Sequence, residues 1–95
     1  SDIFVLDSMP RFAVRVTDFK PGTDMLDMRE IFKDAGYHGA NPIADKYLSI
    51  TASGSSTLIK FDADGAGGQY SMQTVFTLDN VTPSSLQAQV DWVFA

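Results

Sequence analysis

The most regular feature of the chain is an alternation of apolar and polar residues with a period of two. It occurs in residues 12–17, 48–53 and 72–78, and this period predicts strands of a sheet that is covered on one face. Residues 3–6 and 57–61 are short apolar runs rich in β-forming side chains, and we predict them to be more fully buried strands. The pattern as a whole indicates a mainly β protein.

The alternation continues into the last residues of the sequence. Val90, Trp92 and Phe94 share one phase of the pattern, so we predict that all three lie on one buried face. Two segments rich in Gly and Ser or Asp, residues 53–56 and 64–68, predict turns. The first of these joins two strand patterns so closely that it indicates a hairpin.

One α-helix is predicted, over residues 28–35. Its apolar side chains follow the i, i+3, i+4, i+7 spacing of a helix with one buried face. They are Met28, Ile31, Phe32 and Ala35. Asp27 and Glu30 stand in the N-cap and third helical positions, a carboxylate version of the capping box, and Gly36 ends the helix. A second helical turn is predicted at residues 83–87, where Pro83 fits the first position.

Composition limits the classes of function. Ninety-five residues, 44 % of them hydrophobic, suit a single domain that spans residues 1–95. Twelve acidic and seven basic residues give a formal net charge of −5, and without a cluster of Lys or Arg this excludes a nucleic-acid partner. Cysteine is absent, which removes disulfides and thiolate metal sites. No apolar run approaches the roughly 20 residues of a membrane span.

Three stretches carry recognisable motifs. Ser1-Asp2-Ile3-Phe4-Val5 matches the second half of the nonapeptide G-G-x-G-x-D-x-U-x, with Asp2 at the acidic position and Phe4 at the apolar one. Residues 16–28 are close to V-x-D-F-x-x-G-x-D-x-L-D-L. Residues 47–50 and 56–65 form a hairpin pattern that ends in D-x-D-G. In this order they resemble the C-terminal target domain of proteins exported by type I secretion systems, the RTX group that includes serralysin-type proteases, alginate epimerases and large adhesins.

This resemblance implies a fold and a function. The fold would be the end of a parallel β-roll with additional antiparallel strands and one short capping helix. The domain, as part of a larger protein, would be a non-catalytic export signal and would cap the upstream β-roll of the same chain. Its partners would be that roll and the type I secretion machinery. The protein would be secreted and extracellular, and calcium would be the implied cofactor.

Specific residues follow from these motifs. Asp2, Asp62 and Asp64 are the candidate calcium ligands, although Asp62-Ala63-Asp64-Gly65 also fits a plain hairpin turn, since an EF-hand would need other residues at Ala66 and Gln73. The predicted structural turn and helix cap comprise Asp18, Gly22, Asp24 and Asp27, whose carboxylates can accept backbone N–H groups. The predicted secretion signal comprises Val90, Trp92, Val93 and Phe94.

Two other classes of function are open at this stage. An acidic-polysaccharide-binding module would use exposed aromatic rings as a stacking platform; the candidates are Trp92, Tyr37, Tyr47 and Tyr70. Arg11, Arg15, Lys20 and Lys33 would then face the polymer, whereas scattered basic residues more often only solvate a surface. An enzyme would depend on His38, but no G-x-S-x-G nucleophile turn accompanies it. We therefore expect no catalytic activity in this domain.

Overall fold

The computed structural model describes residues 2–65 and 72–95. Within this part of the chain the strands are β1 (Ile3–Val5), β2 (Val14–Val16), β3 (Met25–Asp27), β4 (Leu48–Ser53), β5 (Ser56–Phe61), β6 (Gln73–Asp79) and β7 (Trp92–Val93). One short α-helix, α1 (Arg29–Asp34), follows β3, and a 3₁₀ turn occupies Pro83–Ser85. The prediction of a mainly β fold with one short helix is confirmed.

The strands form two sheets. The first has the order β1-β3-β7, and both of its pairings are parallel, with Ile3 opposite Met25 and Leu26 opposite Trp92. The second has the order β2-β6-β5-β4, in which β2 and β6 are parallel and the other pairs are antiparallel. The chain therefore passes from the first sheet to the second and back twice, with α1 and the β4–β5 hairpin inserted between β3 and β6.

The β4–β5 hairpin confirms the turn predicted from residues 53–56. Ser53 pairs with Ser56, which leaves a two-residue loop. Gly54 has a positive φ of 61°, a conformation that tight hairpin loops require and that glycine adopts without steric cost. Local sequence alone thus determines this pair of strands.

A single hydrophobic core joins both sheets to the helix. The buried cluster contains Leu26 and Trp92 of the first sheet and Ile59 and Leu78 of the second. The helix contributes Phe32, whose ring meets the second sheet edge-on at Phe61, with 4.9 Å between ring centroids. Burial of the predicted apolar stripe, together with tilted and edge-on aromatic contacts, fixes α1 against the sheets.

A β-bulge in β6 changes the predicted pattern of faces. Ile59 pairs with Phe76 but Lys60 pairs with Thr74, so Val75 is an extra residue in the ladder. As a result Val75 and Phe76 are both buried, although strict alternation predicts opposite faces for them. An inserted residue shifts the phase of a strand by one position, which is why the pattern beyond it is displaced.

The first strand is more exposed than predicted. Ile3 and Val5 in β1 are 61 % and 53 % exposed, and Phe12, which precedes β2, is 80 % exposed. The prediction of a more fully buried strand at residues 3–6 was therefore wrong for Ile3 and Val5. Successive side chains of a strand point to opposite faces, so Phe4 and Leu6 turn toward the core while Ile3 and Val5 lie on the outer face, which no described segment covers.

The C-terminal prediction was correct in part. Trp92 is 3 % exposed and Phe94 is also buried, whereas Val90 is 51 % exposed. Strand β7 includes only Trp92–Val93. Val90 lies instead in a turn, in which the N–H groups of Val90 and Asp91 both donate to the Gln87 carbonyl, and this turn removes it from the buried face.

Candidate functional site

The turn between β2 and β3 is built around the carboxylate of Asp24. Its Oδ1 accepts the Asp2 N–H and its Oδ2 accepts the Lys20 N–H, both at 2.9 Å. The backbone closes on itself where the N–H of Asp24 also donates to the Lys20 carbonyl. Gly22 completes the turn with a φ of 84°, a left-handed value that favours glycine. Asp24 therefore joins the start of β1 to the start of β3, as the turn motif predicts.

These contacts give a pH-dependent prediction. The N–H of Asp2, followed by that of Lys20, lowers the pKa of Asp24, because both bonds favour the ionised carboxylate. A lowered folded-state pKa adds stability that is present above the unfolded-state pKa near 3.9 and is lost as the pH falls through the folded value. We expect Asp24→Asn to lower the melting temperature at pH 7 and to make it less dependent on pH below about 4. Thermal melts of both proteins between about pH 2 and pH 7 measure this, and parallel melting curves would contradict it.

Asp91 connects the C-terminal segment to the same turn. Its side chain, only 2 % exposed, accepts the N–H of Gly22 through Oδ1 and the N–H of Gln87 through Oδ2. Its backbone carbonyl accepts the N–H of Leu26 in β3 at 2.7 Å. Asp91 was not among the predicted site residues. The sequence does contain a signal for it, because an Asp within an apolar run is expected to be buried, and a buried carboxylate almost always has hydrogen-bond partners.

Asp27 lies beside the turn but does not occupy the predicted N-cap position. The N-cap of α1 is Met28, which makes no side-chain capping bond. Asp27 precedes it and forms a two-point ion pair with Arg29, from Nε at 3.0 Å and Nη2 at 2.8 Å, while also accepting the Arg29 N–H. The Arg29 side chain is the main cause of the lowered pKa of Asp27. The helix starts one residue later than predicted, so Glu30 is not its third residue either.

Asp18 differs from the other aspartates of this turn. It is exposed, and within residues 2–65 and 72–95 its carboxylate accepts no hydrogen bond. The structure therefore joins Gly22, Asp24 and Asp91 at one turn, places the Asp27–Arg29 ion pair beside it, and leaves Asp18 outside these contacts.

Both sheets present an unpaired edge made by the first sixteen residues. The Asp2 carbonyl accepts the Met25 N–H, and the Leu6 N–H donates to the Asp27 carbonyl. Because the backbone groups of a parallel ladder alternate in direction, the N–H and C=O groups of Ile3 and Val5 point away from β3. In the second sheet, β2 is bonded to β6 alone within the described chain. We call the exposed apolar side chains along these two edges the N-terminal edge surface. It comprises Ile3, Val5, Phe12 and Val14.

The candidate metal ligands do not come together. Asp62 and Asp64 share a side-chain hydrogen bond, which is the main cause of the raised pKa of Asp62. Asp2 is held elsewhere, by the bond from its N–H to Asp24. The described residues contain no group of three or more His, Asp or Glu that could hold a metal ion. They do not fit a calcium site by themselves. The rest of the glycine-rich turn predicted at residues 64–68, and Tyr70, lie outside the described residues.

The Asp62 and Asp64 pair gives a second prediction. A raised folded-state pKa means that the pair contributes stability only while the shared proton is bound, and this stability is lost as the pH rises through the folded value. We therefore expect Asp62→Asn to raise the melting temperature in calcium-free buffer at pH 7 and to have little effect near pH 3, because Asn keeps an oxygen for the Asp64 N–H. Differential scanning calorimetry at the two pH values measures the change. A lower melting temperature at pH 7 would show that the pair is not repulsive.

The aromatic candidates divide into buried and half-buried groups. Trp92 lies in the core and is not part of an exposed platform. Tyr37 and Tyr47 are half-buried and in contact, with 4.6 Å between ring centroids. The hydroxyl of Tyr37 donates to Asp45 at 2.6 Å, and burial, together with that bond, raises the pKa of Tyr37 to about 12. His38 is exposed and bonds to no Ser or Asp side chain in the described structure.

Comparison with known proteins finds no match among protein-family models, curated protein sequences or solved structures. Within the described residues, no helix has both the length and the apolar character needed to cross a membrane. The site is therefore interpreted from its own geometry.

Proposed function

We propose that this domain caps an upstream parallel β-roll of the same chain and serves as a C-terminal export signal of the RTX type. The observation that carries the proposal is the N-terminal edge surface: both sheets end in strands of the first sixteen residues, with apolar side chains exposed. Exposed, unpaired strand edges promote association with other strands. A preceding coil that adds one strand to β1 and one to β2 would cover both edges at once.

The path of the chain supports this proposal. The chain leaves the first sheet after β1, adds β2 to the second sheet and returns to the first sheet as β3. There β3 pairs in parallel with β1. Strands β6 and β7 repeat the movement beside β2 and β3. Successive parallel coils of this kind bury a continuous core between two sheets, and a terminal unit is needed to close it. Here α1 and the β4–β5 hairpin would supply the closing unit.

Calcium enters the proposal only through the larger protein. Asp2 would supply one carboxylate to the last coil, with the remaining oxygen ligands coming from upstream residues. The described turn is held by hydrogen bonds from backbone N–H groups to carboxylates, and the core of the described residues is apolar. We therefore expect the 95-residue chain to fold without metal; circular dichroism with and without a chelator measures this, and a disordered spectrum until calcium is added would contradict it.

The burial of Trp92 and Phe94 determines when an exporter could recognise the predicted signal. Side chains in a folded core are hidden from a receptor, so an exporter would have to read these residues before the domain folds. Net charge of one sign favours a loose chain, and the Asp-rich composition would assist this where calcium is scarce.

A secretion assay tests the export part. Residues 1–95, fused to the C-terminus of a passenger, should be secreted by a bacterial strain that carries a type I exporter, and removal of residues 92–95 should abolish secretion. A fusion with Asp7→Ala is the control, because Asp7 is exposed and lies outside both the predicted signal and the N-terminal edge surface. Equal secretion with and without residues 92–95, or none from the intact fusion, would refute the export signal.

Hydrogen exchange tests the capping part. In the 95-residue chain the amides of Ile3 and Val5 should exchange rapidly, whereas those of Phe4 and Leu6, which face β3, should be protected. In the longer protein a preceding coil should protect Ile3 and Val5 as well, with Phe4 and Leu6 as internal controls. If Ile3 and Val5 exchange equally fast in both proteins, nothing covers this edge and the cap is refuted.

A further inference from the structure

A second region of the molecule, away from the N-terminal edge surface, has the features of a small-ligand site. A cleft of about 250 Å³ opens between α1, the loop that follows it and the C-terminal segment. Its lining consists of Arg29, Lys33, Tyr37, His38, Phe94 and Ala95. This volume is just below the range of about 300–1,000 Å³ typical of sites for drug-sized ligands. The cleft therefore fits a single small group, such as one sugar ring.

The walls of the cleft are basic although the chain is acidic overall. Arg29 and Lys33 are four residues apart on α1, a spacing that places two side chains on the same face of a helix. His38 adds a ring nitrogen from the following loop. Asp27 uses two of the five guanidinium N–H donors of Arg29, so the outer edge of the guanidinium keeps donors for a second acceptor. The Lys33 ammonium forms no ion pair within the described part of the chain.

The floor of the cleft is aromatic and fixed. Tyr37 and Phe94 lie with ring centroids 6.3 Å apart, and Phe32 contacts both rings from inside the core. Because the Tyr37 hydroxyl is bonded to Asp45, the ring is held in place and its hydroxyl is engaged. An aromatic floor packs against the C–H face of a sugar ring, whereas inorganic phosphate has no apolar face to match it.

We propose that this cleft binds a carboxylate-bearing sugar, a single uronate unit of an acidic oligosaccharide. The carboxylate would accept from Lys33 and from the outer edge of Arg29, with His38 as a further polar contact, and the ring would pack on the half-buried Tyr37, with the exposed rim of Phe94 beside it. Since the rest of the surface repels a polyanion, the cleft takes a short stretch or a chain end. The site is independent of the proposed cap and export function.

A titration monitored by amide chemical shifts tests this site on the 95-residue chain. The probe is a galacturonate trisaccharide, compared with maltotriose as the neutral sugar and with inorganic phosphate as the anion without a ring. We expect shifts centred on Lys33, Tyr37 and His38 for the uronate only. Lys33→Gln should weaken binding about tenfold or more, the size of one lost charge-assisted hydrogen bond, and Lys60→Gln, which removes an equal charge outside the cleft, should not.

Four results would overturn the proposal: no shifts with the trisaccharide at millimolar concentration, equal shifts with maltotriose, equal shifts with phosphate at the same residues, or equal weakening by Lys33→Gln and Lys60→Gln. The last would indicate nonspecific charge attraction. None of these results bears on secretion or on protection of the Ile3 amide, so the site and the proposed function can fail separately.

Discussion

Replacing Asp91 with alanine is expected to destabilise the domain by about 3–6 kcal/mol, because two hydrogen bonds to a buried carboxylate contribute about 1.5–3 kcal/mol each. The variant leaves the N–H groups of Gly22 and Gln87 without their acceptor in the interior. A domain of this size has a total stability of about 5–14 kcal/mol. The loss is therefore large enough to unfold part of the population at 37 °C, and urea denaturation followed by circular dichroism measures it.

Two further variants separate the bonds of Asp91 from its charge. Asp91→Asn keeps one acceptor oxygen and removes the charge, so it should recover only part of the lost stability. Asp7→Ala also removes one negative charge, but from an exposed position, and should change the unfolding free energy by less than about 0.5 kcal/mol. If Asp91→Ala and Asp7→Ala have equal effects, the C-terminal segment is not held by this carboxylate.

Replacing Trp92 with alanine should have an effect of similar size. Truncating a buried Trp costs about 3–5 kcal/mol, from lost apolar burial and the cavity left behind. Trp92 pairs with Leu26 across the first sheet and contacts the Phe94 ring with 5.6 Å between centroids. We expect a lower urea midpoint and, because the substitution removes the only Trp of the sequence, a weaker near-ultraviolet dichroism of the remaining Tyr and Phe rings. A folded Trp92→Ala protein that only fails to bind a polysaccharide would instead support the stacking-platform hypothesis.

Matched variants test whether packing or hydrogen bonding holds Trp92. Its Nε1 is buried and has no hydrogen-bond partner within the described residues, so Trp92→Phe should lose volume but no bond and should cost clearly less than alanine. Phe12→Ala truncates another large aromatic, but at a position that is 80 % exposed, and should leave stability nearly unchanged. If Trp92→Phe lowers the unfolding free energy as much as Trp92→Ala does, apolar volume at this position is not what stabilises the domain.

The sequence predicts those parts of the fold that depend on neighbouring residues. The β4–β5 hairpin follows from alternation on either side of Gly54, and α1 follows from an apolar stripe that stops at Gly36, which has the expected positive φ of 75°. In both cases the signal and the structure it describes are within a few residues of each other. Such elements form from local steric and hydrogen-bonding preferences, so a single sequence contains enough information for them.

Long-range pairing could not be predicted in the same way. The apolar run at residues 3–6 indicates a strand, but it does not show that the face carrying Ile3 and Val5 has no neighbour in the described structure. The bulge at Val75 depends on its partner strand and shifts the faces of β6 without a mark in the sequence. Exposure and register are properties of neighbouring strands, which a period-two pattern does not identify.

The candidate site shows the same division. Asp24 was predictable because the Pro-Gly turn it stabilises is adjacent in sequence. Asp91 was not, since its bond to Gly22 joins residues 69 positions apart. The cleft at Lys33 was missed as well, because the sequence indicates only a solvated surface for Lys33 and no role for Arg29; the fold brings both beside Phe94. Sites assembled from distant segments require the fold before they can be recognised.

The position of β7 has a consequence for biosynthesis. Strand β3 is the centre of its sheet, but Leu26 acquires its second neighbour only when Trp92 has been made. Contacts of such high sequence separation form late and slowly. While a ribosome still holds the last residues, the nascent chain has an incomplete central sheet, so the domain completes its folding only after translation has delivered them.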